Sequence, residues 1–85
     1  MIRFRLKELV AEKEFQEGRN ITYEEISRKT GIHRTTLSRI ANIKGYVTNT
    51  DVLDKLCAYF GVNTNEVAEY IEEPQGAEEE FSSEK

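Results

Sequence analysis

The chain has 85 residues and a formal net charge of −4, with 38% hydrophobic and 33% charged residues. This length predicts one small domain with a modest core. The single cysteine, Cys57, excludes an intrachain disulfide and a multi-cysteine zinc site, and no apolar run is long enough for a signal peptide or a membrane span. We therefore expect a reduced, cytoplasmic protein without a membrane partner.

Charge is distributed unevenly along the chain. Residues 1–71 carry 11 Lys and Arg against 10 Asp and Glu, whereas residues 72–85 carry one Lys against six Glu. Residues 26–50 contain no acid and these bases: Arg28, Lys29, Arg34, Arg39 and Lys44. Electrostatic attraction depends on the local field, which salt screens beyond about 8 to 10 Å. The basic segment can therefore bind phosphate although the whole chain is acidic.

The first elements are a possible strand and a helix. Ile2 and Phe4 alternate with arginines, which indicates a short strand or a lead-in to the helix. Leu6, Leu9 and Val10 follow at helical spacing and predict a surface helix that ends at Gly18.

The second helix has a clear start signal. Thr22 as N-cap, with Glu25 at the third helical position, predicts a capping box, and Ile21 and Ile26 are placed for a hydrophobic staple. Gly31 then allows a turn through the left-handed conformation. Two short helices joined at a glycine are the layout of a helix-turn-helix, which predicts duplex DNA as a partner.

The third predicted helix presents a polar, basic face. Leu37, Ile40 and Ala41 form its inward stripe, and the outward positions are Arg34, Thr35, Ser38, Arg39 and Asn42. Arginine can donate two hydrogen bonds to guanine, and Thr or Ser can bond base edges or phosphates. Since no carboxylate is present to repel the DNA backbone, this face suits a major groove.

Two further helices complete an all-α bundle of five helices. Thr50 is the predicted cap of the fourth helix, which ends at Gly61 and has an apolar stripe of Leu53, Leu56, Cys57 and Phe60. Cys57 on this stripe is expected to be a buried apolar residue. Asn63 and Glu66 begin a short fifth helix that would turn Val67, Tyr70 and Ile71 towards the core.

These elements resemble the Cro and lambda-repressor class of helix-turn-helix regulators, the Xre family. The resemblance lies in the helix order and in residues 26–40, ISRKTGIHRTTLSRI, and continues through residues 53–57, LDKLC, and residues 60–62, FGV. It covers nearly the whole chain before the tail. It implies a compact lambda-repressor-like fold in which the helix around residues 33–42 enters the major groove.

The resemblance also implies which residues contact DNA. The positions of base readers are Arg34, Thr35, Ser38 and Arg39, and those of phosphate contacts are Tyr23, His33, Thr36, Asn42 and Lys44. Many members have Gln at the position of Tyr23, a small Ala at that of Ser27, and a Ser or Thr cap at that of His33. His33 is not expected to bind metal or act as a base, because the chain has no second histidine and no cysteine pair.

The sequence therefore predicts a DNA-binding transcriptional regulator, a repressor that reads a two-fold-symmetric operator as a homodimer. We expect no cofactor, no metal and no catalytic residue, since no nucleophile has a base partner and no glycine-rich phosphate loop is present. The dimer surface is either the fourth and fifth helices, or Ile2 and Phe4 if an N-terminal strand pairs with the segment around Tyr70 and Ile71. The alternative function is an antitoxin or adaptor that holds a partner protein, with DNA binding secondary.

We expect residues 1–71 to form the DNA-binding domain and residues 72–85 a disordered acidic tail. The tail contains Pro74, Gly76 and the run Glu78, Glu79 and Glu80, and little apolar surface to offset the entropy of ordering. It is interpreted as a solubilising end, or as an arm that binds a partner protein through Phe81 or competes with DNA for the basic face.

Overall fold

The computed structural model describes residues 1–72 of the chain. Five helices and two short strands follow in the order β1 (Ile2–Phe4), α1 (Leu6–Glu17), α2 (Tyr23–Thr30), α3 (Arg34–Asn42), α4 (Thr50–Phe60), α5 (Thr64–Val67) and β2 (Ala68–Tyr70). The predicted helical bundle and its helix order are confirmed, and the N-terminal strand is present. The predicted tail lies outside the described residues except for Glu72.

The core is purely aliphatic. Nine side chains are buried in one cluster: Leu6, Val10, Ile21, Ile26, Ile32, Leu37, Ile40, Leu56 and Val67. No polar or charged side chain within residues 1–72 is buried with them. Every helix contributes at least one buried residue, so burial of this cluster holds the bundle together. Cys57, expected to be buried, is half-buried at the edge of the cluster.

The predicted helix N-cap is partly right for α2 and wrong for α4. Thr22 Oγ1 accepts a hydrogen bond from Glu25 N at 3.1 Å, as predicted. The Glu25 carboxylate binds Arg19 instead of completing the capping box. The predicted Thr50 cap is wrong: Asn49 Oδ1 accepts from Val52 N at 2.9 Å, and Thr50 is the first residue of α4. An asparagine one position earlier is at least as good an N-cap as threonine.

The end of the domain is a strand where the sequence predicted helix. α5 begins at the predicted place and is a single turn with a capping box of Asn63 and Glu66, and β2 follows it at once. Antiparallel pairing with β1 sets Ile2 opposite Tyr70 and Phe4 opposite Ala68. Tyr70 is therefore 67% exposed and not turned into the core as predicted, because pairing with a distant strand overrides the helical spacing after Val67.

Candidate nucleic-acid interface

The turn between α2 and α3 is fixed by a glycine and one hydroxyl group. Gly31 has φ 83°, and its N–H donates to Ser27 O at 2.8 Å. Thr30 Oγ1 donates to Ile26 O at 2.7 Å and accepts from Ile32 N at 3.1 Å. The Thr30 hydroxyl thus joins the last turn of α2 to the segment that leads into α3. This role of Thr30 was not predicted from the sequence, although a threonine in the last helical turn commonly bonds the carbonyl four residues back.

Packing then decides which face of α3 is free. Leu37 is fully buried and Ile40 is 4% exposed, so both hold the helix against the core. At about 100° per residue, the four predicted base readers Arg34, Thr35, Ser38 and Arg39 lie on an outward arc of about 140°. All four are exposed or half-exposed. Thr36, predicted to contact phosphate, is half-buried on the far flank of this arc.

Asn42 lies on the same outward face but is already bonded within α3. Its Nδ2 donates to Ser38 O at 2.8 Å and approaches Ser38 Oγ at 3.4 Å. The predicted phosphate contact from Asn42 would therefore have to replace one of these bonds. Ser38 and Asn42 are four residues apart on one helix, so the sequence spacing already makes their side chains neighbours and this competition was predictable.

The other predicted phosphate contacts lie at the ends of the two helices. Tyr23 is the first residue of α2, and its half-buried ring packs against the core. Burial raises the pKa of the Tyr23 phenol from its ordinary value, at which the hydroxyl is already a proton donor at neutral pH. His33 is the exposed N-cap residue of α3 and makes no side-chain cap bond, and Lys44 is exposed in the turn after α3.

The cations of α3 and its following turn are left unneutralised. We define the basic face as Arg34, Arg39 and Lys44; none of them forms a salt bridge with another residue of the described part of the chain. Five of the other eight cations of residues 1–72 form salt bridges: Arg3, Lys13, Arg19, Lys29 and Lys55. The other cations without a salt bridge there are Arg5, Lys7 and Arg28. The exposed face of α3 therefore presents positive charge that is available to an anionic partner.

The described residues, 1–72, also bear on metal binding and on membrane insertion. No three His, Cys, Asp or Glu side chains in that range come together in a group that could hold a metal ion. None of the helices there has the length and apolar character that a membrane crossing requires.

The family comparison agrees with this geometry. A family model described as a Cro/C1-type HTH DNA-binding domain matches residues 5–73, which include all five helices and β2. No curated protein and no solved structure gave a significant match to the chain. The family match confirms the resemblance seen in the sequence and the helix-turn-helix bundle. The chain therefore belongs to the family of Cro/C1-type helix-turn-helix DNA-binding domains.

Proposed function

We propose that this DNA-binding domain is a transcription repressor that places α3 in the major groove of a specific operator. The proposal rests mainly on one observation: the cations of the basic face have no salt-bridge partner within residues 1–72. Arg34 and Arg39 can each donate two hydrogen bonds to guanine O6 and N7, and Thr35 and Ser38 can bond base edges. Occupation of the operator would block polymerase.

Phosphate contacts would come from the ends of the helices. Tyr23 at the start of α2 and His33 at the start of α3 stand where backbone N–H groups also favour anions. Lys44 supplies a flexible ammonium group after α3, and Thr36 and Asn42 supply a hydroxyl and an amide on its flanks. Such contacts position the protein on the duplex, whereas the contacts from the outward arc of α3 select the sequence.

We infer that the operator is two-fold symmetric and is read by a homodimer, because one short recognition helix reads only a few base pairs. The described pairing of β1 with β2 favours the second dimer surface predicted from the sequence. Ile2 and Tyr70 face each other across the strands with 48% and 67% of their surface exposed. Val47, 86% exposed, lines a groove with Ile2. We call Ile2, Val47 and Tyr70 the sheet patch; a contiguous exposed apolar surface is typical of an interface.

Selection from a random duplex library tests the proposal. The purified chain is mixed with the library at physiological salt, where non-specific phosphate binding is suppressed, and the bound fraction is sequenced. Enrichment of a two-fold-symmetric motif is the expected result. A folded protein that enriches no motif would contradict the proposal and favour the antitoxin or adaptor function, for which copurification of a partner protein is the direct measurement.

A further inference from the structure

We propose that the acidic segment 72–85 returns to the basic face of its own chain and competes there with duplex DNA. This segment would bind to the outward face of α3 and to Lys44. The inference rests on the proposed function, because it concerns regulation of the same DNA-binding face. Three independent observations carry it: where the chain leaves the domain, how far it can reach, and which charges it holds.

The chain leaves the domain beside the C-terminal end of α3. Ile71 is fixed to the first residue of the chain, since Met1 N donates to Ile71 O at 3.0 Å and Ile71 N donates to Met1 O at 2.8 Å. Ile71 also lines a groove of about 300 Å³ together with Asn42, Ile43 and Lys44. The acidic segment therefore starts at one end of the surface that we assign to DNA.

The reach of the segment is sufficient to cover that surface. Glu78 is the seventh residue after Ile71, and seven residues span at most about 25 Å. The nine residues of α3 are about 13 Å long. Glu78, Glu79 and Glu80 can therefore reach any cation of the basic face, from Lys44 at the near end to Arg34 at the far end.

Charge complementarity favours this face over the cations that are already paired, and the other cations of residues 1–72 without a salt bridge are Arg5, Lys7 and Arg28. Residues 72–85 carry six Glu and one Lys, and carboxylates make the same charge-assisted hydrogen bonds to guanidinium groups as phosphates do. Arg34, Arg39 and Lys44 have no salt-bridge partner within residues 1–72, whereas Arg3, Arg19 and Lys55 already bind carboxylates of the folded domain.

Tethering makes such contacts effective although each is weak. An exposed ion pair contributes little by itself and is screened by salt. A segment held by a short linker, however, has an effective concentration in the millimolar range at the surface beside it. Occupied molecules are unavailable to DNA, so the apparent Kd rises by the inverse of the free fraction. Salt should weaken the occlusion, because it screens the attraction between segment and face.

The contact can be measured without DNA. A nitroxide label is attached at Ser82→Cys in the full chain, in which Cys57→Ala or, as a second background, Cys57→Ser removes the native thiol. Paramagnetic broadening of the α3 amide signals is compared with that in a chain that also carries Glu78→Gln, Glu79→Gln and Glu80→Gln. We expect stronger broadening with the acidic segment than with the glutamine segment at low salt, and no difference at high salt. Equal broadening at low salt would overturn the proposal, whether or not the protein binds DNA.

The competition is measured with the unlabelled chains. The glutamine variant should bind duplex DNA about threefold to tenfold more tightly at low salt and show a steeper salt dependence. The control is Glu12→Gln with Asp54→Asn, which removes two exposed carboxylates on α1 and α4 that form no salt bridge within residues 1–72; it should keep wild-type affinity. Equal affinity of the wild-type chain and the glutamine variant for duplex DNA would contradict the proposed competition. If the glutamates increase the broadening but the chain binds no duplex, the proposed function is refuted while the contact between the segment and the basic face is supported.

Discussion

At the scale of single residues, the side chains that orient α3 differ from those that would contact DNA. The Thr30 hydroxyl is bonded on both sides, to Ile26 O and Ile32 N, and lies behind the basic face. The side chains of Arg34 and Arg39 lie on its surface and form no hydrogen bond or salt bridge within residues 1–72. Substitutions in the first group should therefore change stability, and those in the second should change binding.

Thr30→Val tests the orienting role. Valine has nearly the same shape but cannot accept the hydrogen bond, so the part-buried Ile32 N–H loses its partner. We expect the free energy of unfolding to fall by about 1 to 3 kcal/mol, measured by urea denaturation. Thr35→Val is the matched control, because the Thr35 side chain is exposed and forms no hydrogen bond within the described region; its effect should stay within about 0.5 kcal/mol. Equal effects of the two substitutions would contradict the role of the Thr30 hydroxyl.

Substitutions on the basic face separate base reading from phosphate binding. Arg34→Ala and Arg39→Ala should each weaken operator binding by about 1 to 3 kcal/mol and relax base preference, because each would lose bonds to a base edge. Lys44→Ala should weaken binding to all sequences alike and flatten the salt slope by about one unit. The measurement is titration of operator and unrelated duplexes over a range of salt.

Lys55→Ala is the control for these variants, because Lys55 is paired with Asp51 on α4, outside the basic face. It should leave both affinity and salt slope unchanged. Arginine variants with full affinity and unaltered base preference would show that α3 does not read the groove as proposed.

At the scale of elements, the loop between α1 and α2 is held by charged side chains. Arg19 donates to both Glu25 oxygens, at 2.9 and 2.7 Å, and to Glu17 Oε1 at 2.9 Å. Glu14 Oε2 accepts from Ile21 N at 2.8 Å in the same loop. These bonds join the end of α1 to the first turn of α2, and the Arg19 guanidinium lowers the pKa of Glu25 to about 2.

This ion pair predicts a specific loss of stability in acid. The pKa of Glu25 is lower in the folded chain than its ordinary value near 4.5. The pair therefore stabilises the fold above that ordinary value, and the stabilisation is lost as the pH falls towards 2. Glu25→Gln and Arg19→Gln should both show a smaller loss of stability between pH 5 and pH 2 than the wild type, as measured from urea midpoints. If either variant keeps the full wild-type loss, the Arg19–Glu25 pair is not its cause.

The elements also show what the sequence could and could not predict. The helix ends at Gly18, Gly31 and Gly61 were predictable because capping depends on residues within one turn. The outward face of α3 was predictable because it depends only on helical period. The partner of Glu25 was not, because Arg19 precedes the helix by a loop and leaves no local pattern. The pairing of Tyr70 with β1 was considered from the sequence only as the condition for one of two dimer surfaces, because β1 lies at the other end of the chain.

At the scale of the whole molecule, the sheet patch is the surface that we propose for self-association. The face of the sheet that carries Ile2 and Phe4 packs on the core at the Phe4 end and is exposed at the Ile2 end. The opposite face carries Arg3, which is paired with Glu8 and Glu69. A symmetric contact through Ile2 and Tyr70 would cover apolar surface and leave this ion pair in solvent.

Ile2→Thr with Tyr70→Thr tests the dimer. Threonine keeps the preference for strands but removes most of the apolar surface. Sedimentation equilibrium should show the dimer dissociation constant raised by at least about tenfold, equivalent to 1.4 kcal/mol. Affinity for the symmetric operator should fall more than affinity for a single half-site. Phe15→Gln removes an aromatic side chain that is 85% exposed on α1, outside the patch, and should change neither value. Unaltered dimerisation in the double variant would place the interface elsewhere.

The pairing of β1 with β2 also determines when this surface comes into existence. Hydrogen bonds join Met1 to Ile71 and Arg5 to Val67, so the sheet forms only after almost the entire domain has been synthesised. During translation, α1 to α4 can form from contacts between residues that are near in sequence. β1 cannot pair until β2 has left the ribosome. The sheet patch needs both strands and is therefore absent from nascent and truncated chains. If the proposed dimer forms through the sheet patch, a chain that lacks β2 would contain the complete helix α3 but could not dimerise.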